Sequence, residues 1–392
     1  MKEFLKRLVK NSKLLYKIYF YALSLGLKIV GIFVPTDENL ILFVVYGGKR
    51  YDDSPRFVYE YMKQNPAYKK YCYKWAFIDP ESILEVPQKE KIKIDTWQYF
   101  ITALKAKYWI SNSTCSRGLN FKKKNTINIM FQHGMAGIKK IGNDLEEKNQ
   151  SFKIGYKENF EYIFIEGKKE KKILSEAWNE PENVFIESGL PRNDELINIS
   201  GEKVTELKKK FDIPLEKKVI LYAPTFREFK IDASLENCLT SPFDLAMWNK
   251  KLGEKYVMLF TAHYEVAKLM NMPEKHPFVI NAFQYPHIND LMLVSDMLIS
   301  DYSSIIWDYS LLGKPIISYA YDYKEYKEKR GLYSGYAQIF SNGIITDQKD
   351  VINLIQNMDY EMECKYTIEN IRNKYVIDYG NAAKRCTEII FG

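Results

Sequence analysis

Short apolar runs alternate along this chain with segments whose apolar residues recur every three or four positions, the signature of strands followed by amphipathic helices. The plainest case is the stretch from residue 293 to 317, LVSDMLISDYSSIIWDYSLLGKPII. Apolar residues 297–299 stop at Ser300-Asp301-Tyr302-Ser303-Ser304. An amphipathic segment follows, Gly313-Lys314-Pro315 ends it, and a second apolar run begins. The pattern predicts strand, polar loop, helix, glycine stop and strand, a βαβ unit. Further strands are predicted at 41–45, 75–78, 108–111, 127–131, 162–165 and 184–186, then at 219–222, 256–260 and 278–281. A helix is expected to start at Ser54-Pro55, with Ser as its cap and Pro in its first turn. Another is expected over 96–107, a charged helix over 201–212 reads as a linker, and 349–391 reads as helical. Strands alternating with helices through both halves predict an α/β fold. Two Rossmann-like, doubly wound units, 36–200 and 201–392, would face each other across a cleft.

The first 35 residues break this pattern. Lys2, Lys6, Arg7, Lys10, Lys13 and Lys17 stand against Glu3 and interleave with apolar residues, and from Ile18 to Val34 the run is apolar apart from Lys28 and small polar breaks. The basic region is longer than that of a signal peptide, and no small-residue cleavage site follows it. A spanning helix needs about 20 apolar residues. Two readings therefore stand: a basic amphipathic helix lying on an anionic membrane surface, or an ordinary helix packed on the core. The breadth of the apolar run favours the membrane surface.

With 392 residues, 46% hydrophobic and 27% charged, the chain is globular and long enough for two cores. Its net charge of +7 points to an anionic partner, whether nucleic acid, anionic lipid or a phosphorylated substrate. No basic stretch is interleaved with an aromatic stacking platform, which places nucleic acid last. The five cysteines are scattered and form no CxxC pair, which argues against a disulfide framework or zinc site and for a reducing cytoplasm.

Ligands in such folds lie beyond the carboxyl ends of the strands. The polar residues expected there are Gln132-His133-Gly134, Pro191-Arg192-Asn193-Asp194, Thr225-Phe226-Arg227-Glu228, His263 and Asp301-Tyr302-Ser303-Ser304. His276 and His287 fall in connecting segments. Each candidate has a structural alternative. A strand-end histidine is often only hydrogen-bonded, Arg192 can pair with Asp194 or another acid, Arg227 can form a surface ion pair, and Asp301 or Ser303 can cap a helix. The glycine after His133 points to a close backbone approach. Four consecutive polar or phenolic side chains exceed what a cap requires, and two hydroxyls beside the N–H groups of a helix start make a cradle for phosphate oxygens. GxxxxGK[ST], GxGxxG and HExxH patterns are absent, which leaves P-loop, dinucleotide and zincin readings without support. No spaced acidic cluster resembles a magnesium site, so the sequence requires no cofactor or metal.

Six stretches, in order, carry a resemblance to a known family: GGKRYDDSPRFVYEYM, AKYWISNS, FQHGMAGIKKIGND, SGLPRND, ILYAPTFRE and the long segment DLMLVSDMLISDYSSIIWDYSLLGKPIISYAYDYKEYKEKRGLY. Over residues 40–385 the chain resembles the CDP-glycerol:glycerophosphotransferases, the primases and polymerases of teichoic-acid synthesis. The resemblance implies a glycosyltransferase-B-like fold with an acceptor-side unit at 36–200 and a donor-binding unit at 201–392. It also implies peripheral association with the cytoplasmic face of the membrane through 1–35. The implied reaction moves a polyol phosphate from CDP-glycerol to a lipid-linked saccharide, carried on undecaprenyl diphosphate, or to a growing polyol-phosphate chain, with release of CMP. CDP-ribitol as donor, a capsule polymer as product, and a catalytically inactive membrane-bound scaffold are the alternatives. By the same resemblance the catalytic pair is His133 and His263. The resemblance also places the donor loop on Asp301, Tyr302, Ser303 and Ser304 and a donor-side arginine on Arg227. From their positions in the chain, Thr225 joins the donor set, Asp308 either accepts from the donor's ribose hydroxyls or is a solvated helix carboxylate, and Gly134, Lys139, Arg192 and Asn193 are candidates for phosphate or acceptor binding. Where the family usually has Trp before the His-Gly pair and Thr-Pro after it, this chain has Gln132 and Met135-Ala136, so its acceptor side is expected to differ. Polymerases of the family often carry extra N-terminal sequence, which leans this chain toward a primase or short-chain enzyme.

Overall fold

The computed structural model describes residues 13–145, 158–225, 227, 244–261, 276–283, 285–377 and 380–392. Its strands form two parallel sheets. The first contains β1 (Asp37–Val44), β2 (Cys72–Phe77), β3 (Lys91–Lys93), β4 (Ala106–Ser111), β5 (Ile127–Phe131), β6 (Tyr162–Ile165) and β7 (Phe185–Glu187), in the order β3-β2-β1-β4-β5-β6-β7. The second contains β8 (Lys218–Ala223), β9 (Tyr256–Phe260), β10 (Val279–Asn281), β11 (Met297–Ser300) and β12 (Ile316–Ser318), in the order β10-β9-β8-β11-β12. Every pairing is parallel. The α/β fold read from the pattern is therefore present. β3 escaped that reading because Lys91-Ile92-Lys93 holds one apolar position.

Both sheets reverse their strand order once, between β1 and β4 and between β8 and β11. Crevices open at such switch points because the loops on either side leave in opposite directions. β11, the helix Ile305–Ser310 and β12 form the predicted βαβ unit. Gly313, at φ +63°, ends its helical segment in a conformation that side chains resist.

The central strands are buried on both faces over most of their length, as parallel sheets require. Phe43, Trp75 and Phe77 stack on one face of the first sheet, with Phe43 and Trp75 rings 4.6 Å apart and 7° from parallel. Each such ring contributes roughly 2–3 kcal/mol on leaving water. The last helix, Ala382–Phe391, crosses back to this core, burying Cys386 and Ile390. Its Phe391 ring lies 4.7 Å from that of Tyr108. Asp194 holds the helix start, accepting from Ala382 N at 2.8 Å and Ala383 N at 2.9 Å. Asp194 is therefore not the partner of Arg192.

The helix Lys13–Phe33 lies on the opposite face of the same sheet. A narrow stripe of Phe20, Ser24 and Leu27 is buried. Leu14, Ile18, Tyr21, Leu25, Ile29, Ile32 and Phe33 remain exposed. Its 20-residue stretch from Leu14 to Phe33 is long and apolar enough to cross a membrane, and only 22% of its most apolar window is buried. The packed-helix reading accounts for the stripe and leaves the rest of the surface unexplained.

Candidate active site

Loops from both sheets meet at the switch points, and what holds them is a buried guanidinium. Arg192 follows β7. Its Nη1 donates to Asp53 Oδ1 at 3.1 Å and to the Gln132 carbonyl at 3.0 Å, and its Nη2 donates to Asp308 at 2.9 and 3.3 Å. Asp53 belongs to the first sheet's unit and Asp308 to the helix after β11, so one side chain clasps both. Asn193 adds a bond to Asp308 at 2.9 Å and one to Glu166 at 2.6 Å. Asn289 Nδ2, from the second unit, donates to the Arg192 carbonyl at 2.6 Å. Burial and the Asp308 charge push Glu166 well above the usual carboxyl range. Arg192 is matched by Asp53 and Asp308, and its Nη2 also lies 3.8 Å from Glu166 Oε2. Burial alone would raise Asp53, but Arg192 and the hydrogen bonds from Asn112 and Ser54 outweigh it and lower the carboxyl.

Asp53 is reached by a backbone the sequence did not advertise. It sits at φ +59°, unusual for a residue with a side chain. The helix begins at this residue, Asp53–Gln64, one position before the start expected at Ser54. Ser54 is therefore not the cap; its hydroxyl accepts from Arg192 N at 3.4 Å. Asp53 in turn accepts from Tyr46 OH at 3.0 Å and Asn112 Nδ2 at 2.8 Å.

His133 stands at the lip of this network, exposed to the cleft. Its Nδ1 lies 2.9 Å from the Asn112 carbonyl. A carbonyl only accepts, so Nδ1 carries the hydrogen and a neutral ring presents its Nε2 lone pair outward. The surrounding protein lowers the imidazole pKa, with Arg192 and Lys139 adding to the effect and Asp53 opposing it. The glycine beside it makes the predicted close approach: a Cβ on Gly134 would collide with the Ser304 hydroxyl and lie 3.2 Å from Ser304 Cβ. The His133-Gly134 loop and the Ser303-Ser304 loop thus touch. Behind the first of them, Glu170 accepts from Ala136 N at 2.8 Å and from Glu166 N and Gly167 N at 3.0 Å. Burial raises its carboxyl to about 7.

Arg227 organises the second sheet's loops. It donates to Asp301 at 2.7 Å, to both Asp322 oxygens at 2.7 and 2.9 Å, and to the Thr225 carbonyl at 2.5 Å. The rings of Tyr302, Tyr321 and Tyr326 lie 5.0–5.2 Å from it. Asp301 Oδ1 accepts from Thr225 N at 2.8 Å and Tyr302 N at 2.7 Å, and Tyr302 OH donates to Asp322 at 3.1 Å. Arg227, Asp301 and Tyr302 therefore spend their polar groups on one network that includes Asp322 and the Thr225 backbone. Thr225 Oγ1, buried with no hydrogen-bond partner among the described residues, the Ser304 hydroxyl, and the O–H of Ser303, whose oxygen accepts from Ile305 N at 3.4 Å, are left for a ligand. Asp308 has both oxygens engaged by Arg192. Lys139, half-buried, runs antiparallel to Leu332 through its backbone. His263, Phe226 and Glu228 lie outside the described residues.

Sequence reasoning passed over Tyr46, Asp53, Asn112, Glu166, Glu170, Asn289 and Asp322. The paired aspartates of RYDDSP were the available signal for Asp53. His287, assigned to a connecting segment, instead lines a small cavity of about 80 Å³ with His133, Asp53 and Arg192.

The chain has known relatives. Residues 27–392 match the model of the CDP-Glycerol:Poly(glycerophosphate) glycerophosphotransferase family. It is 29% identical to a teichoic acid poly(glycerol phosphate) polymerase of Bacillus spizizenii, covering 99% of each chain. It is 30% identical to the polymerase of the same description from Staphylococcus epidermidis, covering 89% of this chain and half of that one. A solved structure of the wall teichoic acid polymerase TagF superposes with a TM-score of 0.81 at 28% identity, covering 96% of both chains. Other TagF crystals were soaked with CDPG.

Proposed function

This chain belongs to the CDP-glycerol:poly(glycerophosphate) glycerophosphotransferase family, and from that premise we propose how its cleft transfers glycerol phosphate from CDP-glycerol to an acceptor hydroxyl in teichoic-acid synthesis. The two units act as in a glycosyltransferase-B arrangement, 36–200 on the acceptor side and 201–392 on the donor side. Ser303, Ser304 and Thr225 Oγ1 take the diphosphate. Arg227 positions their loop through Asp301 and the Thr225 carbonyl. The acceptor hydroxyl attacks the β-phosphorus, its proton passes to Nε2 of His133, the bond from that phosphorus to the bridging oxygen breaks, and CMP leaves with the electron pair. A neutral imidazole is the right base for this step, and its lowered pKa keeps it neutral at physiological pH.

The observation that carries the reading is the meeting of the His133-Gly134 loop with the Ser303-Ser304 loop, which sets base and phosphate cradle side by side. The test is His133→Ala, assayed by CMP release. Turnover should fall about 10²–10⁴-fold while CDP-glycerol binding, read by titration calorimetry, stays within about threefold. Unchanged turnover would remove His133 as the base.

The exposed apolar faces of the helix Lys13–Phe33 rest on the cytoplasmic face of an anionic membrane, where an undecaprenyl-linked acceptor would be delivered. The protein should co-sediment with phosphatidylglycerol vesicles. Replacing Leu14, Ile18, Leu25 and Ile29 with Ser should abolish this; co-sedimentation that persists would overturn the placement.

A further inference from the structure

A second cavity, of about 600 Å³, lies behind the donor loop and belongs to neither cluster described above. It is lined by Lys140 from the first unit and by Tyr323, Lys327, Tyr333, Tyr336 and Gln338 from the second. The two units are stitched together at its edge. Lys140 N donates to the Gly331 carbonyl at 3.2 Å, Tyr333 N to the Ile138 carbonyl at 2.9 Å, and Arg330 Nη1 to the Lys140 carbonyl at 2.7 Å. These backbone bonds fix where Lys140 stands, and its stem lies against Gly331. Its floor is coupled to the reaction centre, because Tyr336 OH donates to the Asp301 carbonyl at 2.9 Å.

The lining has a distinct chemistry. Tyr323 and Tyr336 present rings stacked at 6.1 Å, and Lys327 lies over the Tyr323 ring at 5.8 Å. Neither Lys140 nor Lys327 is in an ion pair among the described residues. The nearby acid Asp144 is already held by Tyr333 OH. Flat rings pack against the C–H faces of hydroxyl-rich carbon chains and rings, the Tyr323 phenol and the Gln338 amide supply hydrogen bonds, and two ammonium groups supply charge for a phosphate. The volume suits a ligand of about two sugar residues.

We propose that this cavity binds the phosphate-bearing, hydroxyl-rich end of the acceptor, with Lys140 and Lys327 holding a phosphate and the tyrosines the polyol or sugar beside it. The assignment rests on the transfer reaction proposed above and names where its second substrate docks.

The test is a steady-state comparison of the wild type with the double variant Lys140→Gln/Lys327→Gln, and with Lys140→Arg/Lys327→Arg. CMP release is measured with CDP-glycerol and two acceptors, a glycerol phosphate trimer and a synthetic disaccharide diphosphate. The Gln variant should raise the KM for one or both acceptors at least about tenfold, the worth of one lost charge-assisted bond. Its kcat and its KM for CDP-glycerol should stay within about twofold, and the Arg variant should restore acceptor KM. The acceptor more affected identifies the source of the phosphate. An unchanged acceptor KM overturns the site. A raised KM for CDP-glycerol also overturns it, by making the cavity the donor's. Failure of the wild type to release CMP from CDP-glycerol with any acceptor would sink the transfer reading instead, and calorimetric titration of the trimer into both proteins then decides the cavity separately.

Discussion

Arg192 and Arg227 are chemically alike and structurally opposite. Each is buried, with side-chain exposure of 9% and 7%, and each meets two aspartates. Arg227 finds both partners within the second unit and is walled by tyrosine rings. Arg192 joins Asp53, on the side of the first sheet, to Asp308, in the helix after β11, with Glu166 3.8 Å away. The same guanidinium chemistry therefore does two jobs: one stiffens a loop, the other sets the distance between two loops that must react together. What separates them is the origin of the second carboxylate.

That contrast can be broken by experiment. Arg192→Met leaves Asp53 and Asp308 facing each other without a cation, and removing one partner of a buried pair costs about 3–5 kcal/mol. The loss should sit at the upper end of that range and take CMP release with it. Arg227→Met should cost less, near the lower end, with CDP-glycerol KM raised while any turnover that remains still depends on His133. Urea melts and initial rates of the two variants check both. Equal effects on stability and KM would mean that the clasp between units is no more than a second loop brace.

A smaller effect sharpens the comparison further, because among the described residues the first region carries a buried acid poised near neutrality. Glu170 is raised to about 7 when folded, against an ordinary carboxyl value near 4.5. The folded state therefore holds a proton that the unfolded state has lost between those two values. This stabilising difference is fully present below the unfolded value and lost as pH rises through the folded one. The linkage is on the order of 3 kcal/mol at 1.36 kcal/mol per pH unit. Measured by urea melts, wild-type stability should fall relative to Glu170→Gln from about pH 5 to about pH 7.5 and then level off. A difference independent of pH would show that Glu170 is ionised throughout.

Both sheets were legible in the sequence, because a strand buried on two faces must be a continuous apolar run, and β5, β6 and β9 fall where those runs lie. The polar loop Asp301–Ser304 was legible too, since four polar residues between a strand and a helix exceed what capping requires. Gly134 was read for its close approach, but not for what approaches it. Asp308 illustrates the limit. Its place one turn into a helix was plain, yet the cation that takes both its oxygens lies 116 residues away in sequence. Asp53 was hidden in the opposite way, behind a helix start that Ser54-Pro55 explained well enough without it.

Local chemistry in the chain determined the elements, the apolar N-terminal helix and the pool of strand-end histidine, arginine and hydroxyl residues, because those depend on neighbours a few positions apart. Only the tertiary structure decided which of them meet. Pairing Arg192 with Asp53 and Asp308, seating Gly134 on Ser304 and closing Lys140 over the tyrosines of 323–336 all depend on how two separately wound sheets pack together. A buried charge takes whichever partner that packing delivers, and sequence separation has no bearing on the distance.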